Sequence, residues 1–556
     1  MLINELKKIV KGEVLADGET LKKYSRDASL FEVKPQVVVF PKDVEDVKEL
    51  VNYVTLRQTQ GASRLSLTPR SAGTDMSGGA LGESVVLDFT KYFNRIKEIG
   101  YLPVKNWKEV DGYAIVEPGV YYRDFEKEAM KHNLLLPSYP VSKEICAVGG
   151  MVGNNSGGEK TLAYGKTEDY VMELKAVLSD GNEYDIKPLT RDQLDKKLGQ
   201  KDFEGEIYRR IYQLVKGNEE ILQNAKPKVS KNSAGYYLWN VWNGKDFDLT
   251  KLLVGSQGTL GIITEIKFRL IKPKTHSRLL VIFLKDLKPL VTVAHLVMKY
   301  QPESFESFDD HTLKLAIRFL PSLVRILKQN ILKLGWQFLP EFWMLLTGGF
   351  PKLVLLAEFT GDSDKEIVDR LEKLSKQLAD QRIKHRLVKN SKEQKKYWTI
   401  RRESFNLLRQ HIKGKRTAPF IDDFIVRVEQ LSEFLPRLNV ILDKYDLIYT
   451  IAGHVGDANF HIIPLMDLSD QRSHKIIKEL SDKVYNLVLE YGGSITAEHN
   501  DGLIRSPYLK KMYGEKVYRL FEETKKIFDP QNIFNPGKKV GADLQYTFRH
   551  LIKSLN

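Results

Sequence analysis

Leu65-Ser66-Leu67-Thr68-Pro69-Arg70-Ser71-Ala72-Gly73-Thr74-Asp75-Met76-Ser77-Gly78-Gly79, followed by Val85-Val86-Leu87-Asp88, is the stretch on which the fold turns. Leu65 to Thr68 is a short apolar segment, Val85 to Asp88 reads as a strand, and a small-residue loop joins them with no helix between. Upstream, Val37-Val38-Val39-Phe40 reads as a strand and Pro41-Lys42-Asp43 starts a helix. Asp43 is its N-cap, and Val44, Val47, Leu50 and Val54 form its inner face. A dinucleotide-binding Rossmann unit runs strand, glycine loop, helix. Here the glycine loop runs between strands, so the pattern is α+β of another kind.

Two more small-residue loops follow, Gly149-Gly150-Met151-Val152-Gly153-Asn154-Asn155-Ser156-Gly157-Gly158 and Gly255-Ser256-Gln257-Gly258-Thr259-Leu260-Gly261-Ile262-Ile263-Thr264. Glycine lets backbone N–H groups approach a diphosphate, and a nest of such groups binds anions. One loop of this kind is usually only a turn. Three in the first half point to one large, flat, phosphate-bearing ligand wrapped by several segments.

After Lys274 the pattern changes. Leu279 to Leu284, Leu287 to Tyr300 and Ser304 to Phe308 read as strand, helix, strand. Leu353 to Phe359, Lys365 to Ala379 and Ile383 to Val388 repeat that order, which suggests a ferredoxin-like sheet covered by helices. Between the two units, Leu313 to Phe350 is rich in Leu, Phe, Trp and cations, with Leu323, Ile326, Leu327, Ile331 and Leu332 near helical spacing. It could lie in a membrane interface or form a pair of helices packed on this second domain.

Further on stand Gly453-His454-Val455-Gly456-Asp457-Ala458-Asn459-Phe460-His461 and Thr496-Ala497-Glu498-His499. His454, His461 and Glu498 are candidate metal ligands, with His499 in reserve. Two histidines and a carboxylate leave a coordination position open for substrate. An odd separation in a straight strand would point the two histidines to opposite faces. A turn at Gly456 to Asn459 folds the strand ends together instead.

Composition narrows the classes. The 556 residues suggest two to four domains, and 42% hydrophobic content is ample for large cores. A single cysteine, Cys146, excludes a disulfide scaffold and any iron–sulfur cluster on this chain's own thiolates. The net charge of +14 allows anionic substrates or an anionic membrane, or serves solubility alone. Scattered lysines without a zinc finger or basic heptad speak against nucleic acid. Met1 to Lys8 has no signal-peptide run, and no apolar stretch is long enough to span a bilayer. The expected location is the cytoplasm, with the inner face of the membrane as a peripheral option.

The three loops resemble the FAD-binding domain shared by vanillyl-alcohol-oxidase-like flavoproteins, and the second half resembles the FAD-linked oxidase C-terminal domain. Together they are similar to the D-2-hydroxyacid dehydrogenase group, which includes D-lactate dehydrogenase, the glycolate oxidase FAD subunit and D-2-hydroxyglutarate dehydrogenase. The resemblance runs from about Val37 to Lys538. Tyr164-Gly165-Lys166-Thr167, Asn500-Asp501-Gly502 and Arg505-Ser506-Pro507-Tyr508-Leu509 look most like the branch fused to an iron–sulfur module. That module is absent, so electrons are expected to leave for a quinone, a cytochrome, a separate iron–sulfur subunit or oxygen.

The resemblance implies a two-part FAD-binding domain over 1–273, a ferredoxin-like α+β cap over 274–490 with an insertion at about 313–350, and a segment 491–556 that completes the flavin site. Arg70 to Gly79, apart from Ala72 and Met76, should surround the FAD diphosphate together with Gly149, Gly150, Gly153, Asn154, Asn155, Ser156 and Gly157. Gly258, Gly261, Ile262 and Ile263 should lie near the adenosine or ribityl portion, and Pro140, Tyr164, Gly165 and Asn535 near flavin. No His lies in Arg70 to Gly79, so FAD is expected to be non-covalent. The substrate implied is a small D-2-hydroxy acid. His499 is then the general base, as a neutral imidazole near pH 7. Arg401 holds the substrate carboxylate, and a divalent metal, zinc first, sits on His454, His461 and Glu498. D-2-hydroxyglutarate dehydrogenases tend to carry Asn two positions after the second metal histidine; Ile463 stands there, which weighs against hydroxyglutarate. Two other readings stay open: a metal hydrolase, which leaves the glycine loops unexplained, and a non-catalytic FAD-bearing subunit of a membrane or iron–sulfur complex.

Overall fold

The computed structural model describes residues 2–59, 61, 64–102, 110–318, 350–388, 390, 393–402 and 414–553. Among them the strands form three sheets. In the first, Glu13–Leu15 pairs antiparallel with Val37–Phe40, which runs parallel to Val85–Asp88 and, beyond it, Leu67–Arg70. The helix Val44–Thr59 makes the crossover and buries Val47, Leu50, Val51 and Val54 completely. Asp43 caps it as expected, with Oδ1 accepting from Asp46 N at 3.1 Å. The connection from Leu67–Arg70 to its parallel neighbour contains no helix, so the small-residue loop projects from the carboxyl end of the strand, where parallel sheets present ligand sites.

The second sheet is antiparallel, in the order Ile96–Tyr101, Val110–Val116, Ile262–Ile271, Val171–Val177, Glu183–Ile186. Its ten-residue strand Ile262–Ile271 alternates buried and half-buried residues, with Ile262, Ile266, Phe268 and Leu270 inward.

In the third sheet the order Lys384–Val388, His276–Leu284, Leu353–Gly361, Ser304–Asp309 is the ferredoxin-like arrangement expected from the repeated strand-helix-strand pattern. The helices Leu290–Met298 and Asp364–Asp380 cover one face. The sheet continues into the hairpin Ile448–His454 and Asn459–Met466, and that extension carries the histidines. The insertion starts as the helix Asp310–Arg318; the rest of it, 319–349, lies outside the described residues, and with it the choice between membrane and packing roles. Among the described residues no helix is long and apolar enough to cross a membrane.

The second small-residue stretch departs from its expected loop. Val148–Asn154 is helical and ends on Asn155 in the left-handed region, φ 50°. Glycine is a poor helix former, but here close approach decides: a Cβ at Gly149 would sit 2.6 Å from Pro118 O and 2.8 Å from Ser71 Oγ.

Candidate active site

The turn between the two histidines is tight. A 3-10 turn over Val455–Asp457 leads to Ala458 at φ 55°, and the chain re-enters the sheet with Asn459 opposite His454. A Cβ at Gly453 would fall 2.3 Å from Asn459 O, so glycine is required where the strands close. Seven residues of separation become 5.2 Å between the His454 and His461 ring centres, and the His499 ring stacks on His461 at 4.9 Å.

Asp423 shapes the segment that brings His499 in. Its Oδ2 accepts from Thr496 Oγ1 at 2.6 Å and from the backbone N–H of Ala497, Glu498 and His499 at 2.9, 2.8 and 2.7 Å. Next to it, Asp422 accepts from Nδ1 of His461 at 3.0 Å and of His499 at 2.5 Å. Glu306 does the same for His454 Nδ1 at 2.6 Å. With Nδ1 engaged by a carboxylate, a neutral ring keeps its lone pair on Nε2, the arrangement that orients histidines towards a cation. His454 Nε2 lies 3.3 Å from Glu498 Oε2. His461, Glu498, His499 and Asp423 offer donor atoms within 4.8 Å of one another. Asp423 Oδ2 is already saturated by four donors, so the nitrogens of His461 and His499 and the oxygen of Glu498 form the usable part of this group, with His454 beside it through Glu498. These residues fit a divalent cation of the zinc, manganese or iron kind.

The electrostatics agree. Burial opposes charge on His454, but Glu306 and Glu498 outweigh it and raise its pKa to about 9. His499 is likewise raised to about 9, burial being outweighed by Asp422 and Asp423. His461, where burial wins, is lowered. Burial pushes Glu498 up, yet His454 and Lys231 hold it well below the usual carboxylate range. His499 therefore differs from the neutral imidazole expected near pH 7: without a cation it is protonated, because two buried aspartates face it.

The three glycine-bearing segments converge beside this cluster. Asp75 folds the first loop by accepting from Ser77 N at 3.0 Å and Gly79 N at 2.6 Å. Gln257, from the third, donates to Ser77 Oγ and to Asn154 Oδ1, both at 3.2 Å, and accepts from Gly502 N at 2.8 Å. Asn154 Nδ2 reaches Glu498 O at 3.3 Å, and a Cβ at Gly157 would sit 3.1 Å from Glu498 Oε1. A Cβ at Gly150 would meet only Ser71 Cβ, at 3.6 Å, and one at Gly153 nothing within 4 Å. This open, glycine-lined flank against Ser71 fits a diphosphate-bearing ligand that needs close backbone approach. Gly258, at φ 67°, lies so close to Pro69 that a Cβ would clash at 2.2 Å. Gly261 packs on Val177 and Leu178, and Ile262 and Ile263 begin the strand paired with Val177 and Ala176.

Other expected residues are engaged differently. The Asn535 amide donates to Gly79 O at 2.8 Å and Gln257 O at 2.7 Å, and its oxygen accepts from Thr68 and Lys538, so its side chain braces the loops. Tyr164 OH donates to Glu303, and Gly165 makes the turn that follows at φ 77°. Pro140 lies under the second segment, 3.2 Å from where a Gly158 Cβ would be. Arg70 stacks over Tyr24 and donates one arm to Arg26 O, while its Nη1 has no partner among the described residues. Arg401 is buried with Nε 2.9 Å from Glu306 Oε2; Arg402 pairs instead with Glu159. Tyr236 is buried and bonded to Thr259 Oγ1 at 2.7 Å.

Sequence reasoning missed Glu306, Asp422, Asp423 and Lys231. The adjacent acids inside the apolar run Phe420-Ile421-Asp422-Asp423-Phe424 were a usable signal, since buried carboxylates need partners. Lys231 carried no comparable mark.

Residues 35–187 match the FAD binding domain, and residues 273–539 the C-terminal domain of FAD linked oxidases. The chain is 28% identical to a D-2-hydroxyglutarate dehydrogenase of Pseudomonas putida over 95% of this chain and 50% of that one. It is 28% identical to a D-lactate dehydrogenase of Anaerostipes hadrus over 97% and 96%, and 26% identical to the glycolate oxidase subunit GlcD of Bacillus subtilis over 94% and 92%. The chain thus spans about half the length of the Pseudomonas putida and Escherichia coli D-2-hydroxyglutarate dehydrogenases it matches. Among solved structures, p-cresol methylhydroxylase with substrate bound superposes with a TM-score of 0.67 at 15% identity, covering 97% of this chain and 96% of that one. The 4-ethylphenol oxidase of Gulosibacter chungangensis gives 0.65 at 16%, with the same coverage. At that identity the likeness concerns the fold alone. The chain thus carries an FAD binding domain joined to the C-terminal domain of FAD linked oxidases, in one α+β fold.

Proposed function

We propose that this protein oxidises a small D-2-hydroxy acid to the 2-oxo acid, using non-covalent FAD and a divalent cation, zinc first. The observation that carries this is adjacency: Glu498, in the histidine cluster, touches the glycine-lined segment through Asn154 and Gly157. In this reading residues 1–273 form the flavin part, 274–490 the cap and 491–556 the returning segment.

Bound FAD would supply the two-electron oxidant that receives the α-hydrogen as hydride. A cation on His454, His461 and Glu498 would supply Lewis acidity towards the hydroxyl and carboxylate oxygens. The chain does the rest. His499 Nε2 takes the hydroxyl proton, and Asp422 at its Nδ1 fixes the ring and stabilises the charge that appears. A cation held beside it would favour the neutral form of His499 that this step needs. Glu306 holds His454 in place and is itself held by Arg401; in this reading the Arg401 guanidinium would also take the substrate carboxylate. Across the reaction the acid loses one hydride, which carries both electrons to the flavin, and one proton, which goes to His499.

The electron acceptor is a quinone, a cytochrome or a separate iron–sulfur subunit. The proposed location is the cytoplasm, with the inner face of the membrane as a peripheral option. Ile463 favours a substrate without a second carboxylate at that spot, such as D-lactate. Anaerobic mixing of purified protein with D-lactate, D-2-hydroxyglutarate, glycolate and the L-forms tests the reading. Bleaching of bound flavin by a D-acid is expected; bound flavin that none of them bleaches overturns it.

A further inference from the structure

Lys231 is among the most deeply buried ammonium groups at the centre of the molecule, with a side chain 1% exposed. It comes from the flavin-side segment Ser230-Lys231-Asn232 and reaches two carboxylates of different origin. Its Nζ is 2.6 Å from Glu498 Oε1 and 3.0 Å from Asp457 Oδ2. Asp457 belongs to the turn between His454 and His461, and is itself 5% exposed. The other Glu498 oxygen, Oε2, faces His454 Nε2 at 3.3 Å. A buried ammonium held between two carboxylates is costly unless both contacts are kept. Here they occupy Glu498 Oε1, the second oxygen of a candidate ligand, and Asp457 Oδ2, a carboxylate on the turn between the two histidines.

We propose that Lys231 is a positioning residue that sets which metal this site prefers: it withholds Glu498 Oε1 and Asp457 from the cation, so that Glu498 binds through one oxygen and the set stays rich in nitrogen. The inference rests on the metal site of the proposed function. Imidazole-rich sets with a single carboxylate oxygen suit Zn²⁺, while added carboxylate oxygens suit Mn²⁺ and harder ions. Lys231→Met releases Glu498 Oε1 and Asp457 together. Lys231→Arg keeps a cation on both.

The test is a competition titration of flavin-loaded protein with Zn²⁺ and Mn²⁺ against a chromophoric chelator, for wild type and both variants. Outer partners of metal ligands shift affinity by about 10- to 100-fold, so in Lys231→Met the Zn²⁺/Mn²⁺ preference should move at least about tenfold towards Mn²⁺. Lys231→Arg should stay near wild type. A merely structural role would weaken both ions alike and leave the ratio unchanged, which overturns the inference while the metal site stands. Wild type that takes up neither ion overturns the metal site and the inference with it. Should Lys231→Met fail to fold, Lys231→Gln keeps a donor for Glu498 Oε1 but drops the charge, so a smaller shift in the same direction is expected, and an unchanged ratio overturns the inference.

Discussion

Replacing Asp423 by Asn separates two roles for this carboxylate, brace or ligand. Its Oδ2 gathers three backbone N–H groups and a hydroxyl from Thr496 to His499, all within 2.9 Å, while Oδ1 takes one donor, Asn459 Nδ2 at 3.2 Å. The amide keeps the shape but loses the charge. Bonds to a charged acceptor contribute about 1.5–3 kcal/mol each against about 1 kcal/mol for neutral ones, so four of them lose roughly 4 kcal/mol. Neutralising a buried carboxylate recovers part of that, and we expect about 3 kcal/mol of local stability to disappear. The readout is hydrogen exchange of a peptide covering Thr496 to Asn500, because local opening is what the brace resists. A loss of about 3 kcal/mol corresponds to exchange roughly 100-fold faster, in metal-free and metal-loaded protein alike. Exchange within threefold of wild type in the metal-free protein would refute the brace. A drop in metal affinity alone would make Asp423 a ligand.

Asn535→Ala removes bonds to Gly79, Gln257, Thr68 and Lys538 at once; it should cost about 2–4 kcal/mol and release FAD, read by flavin retention on gel filtration, and full retention would contradict the bracing role. In metal-free protein the folded pKa of about 9 for His454 and His499 exceeds the ordinary value near 6.5. Their stabilisation is therefore complete below about pH 6.5 and fades as pH rises through 9. Metal uptake must displace those protons, so affinity should climb between pH 7 and 9 with about two protons released per ion; pH-independent affinity by calorimetry would contradict this. His499→Ala should keep flavin but lose its reduction by substrate, and stopped-flow reduction at the wild-type rate would remove His499 from the mechanism. Burial pushes the Cys146 thiol up to about 12, so a thiol reagent at pH 8 should label it only as the protein unfolds; rapid labelling of native protein would show the thiol to be accessible.

The parts of this molecule legible in its sequence are those encoded locally. The helix after Asp43, the two strand-helix-strand units and the hairpin around Gly456 follow from periodicity, caps and a turn within a few residues. Pairing His454 with His461 needed only the parity of their spacing. The helix Val148–Asn154 was hidden because its conformation is imposed by Pro118 and Ser71, not by its own propensity. Asp422 and Asp423 were hidden for a related reason: neighbours in sequence, they serve different partners, one the histidine rings and the other a backbone segment more than seventy residues away. Arg401 and Arg402 show the same limit. Which of two adjacent guanidiniums enters the site depends on where Glu306 and Glu159 lie, and no local pattern carries that.

The Asn535 brace also bears on how the chain assembles. It joins Thr68 across 467 residues and Gly79 across 456, so contacts that fix the first glycine loop come from far downstream in the polypeptide. At synthesis rates of about 5–20 residues per second, the first sheet waits roughly 20–90 s for the residue that locks its loop. During that interval the cradle is a surface without its clasp. Flavin capture is thus tied to the synthesis of Asn535, and a nascent chain truncated before it should hold its sheets without holding its cofactor.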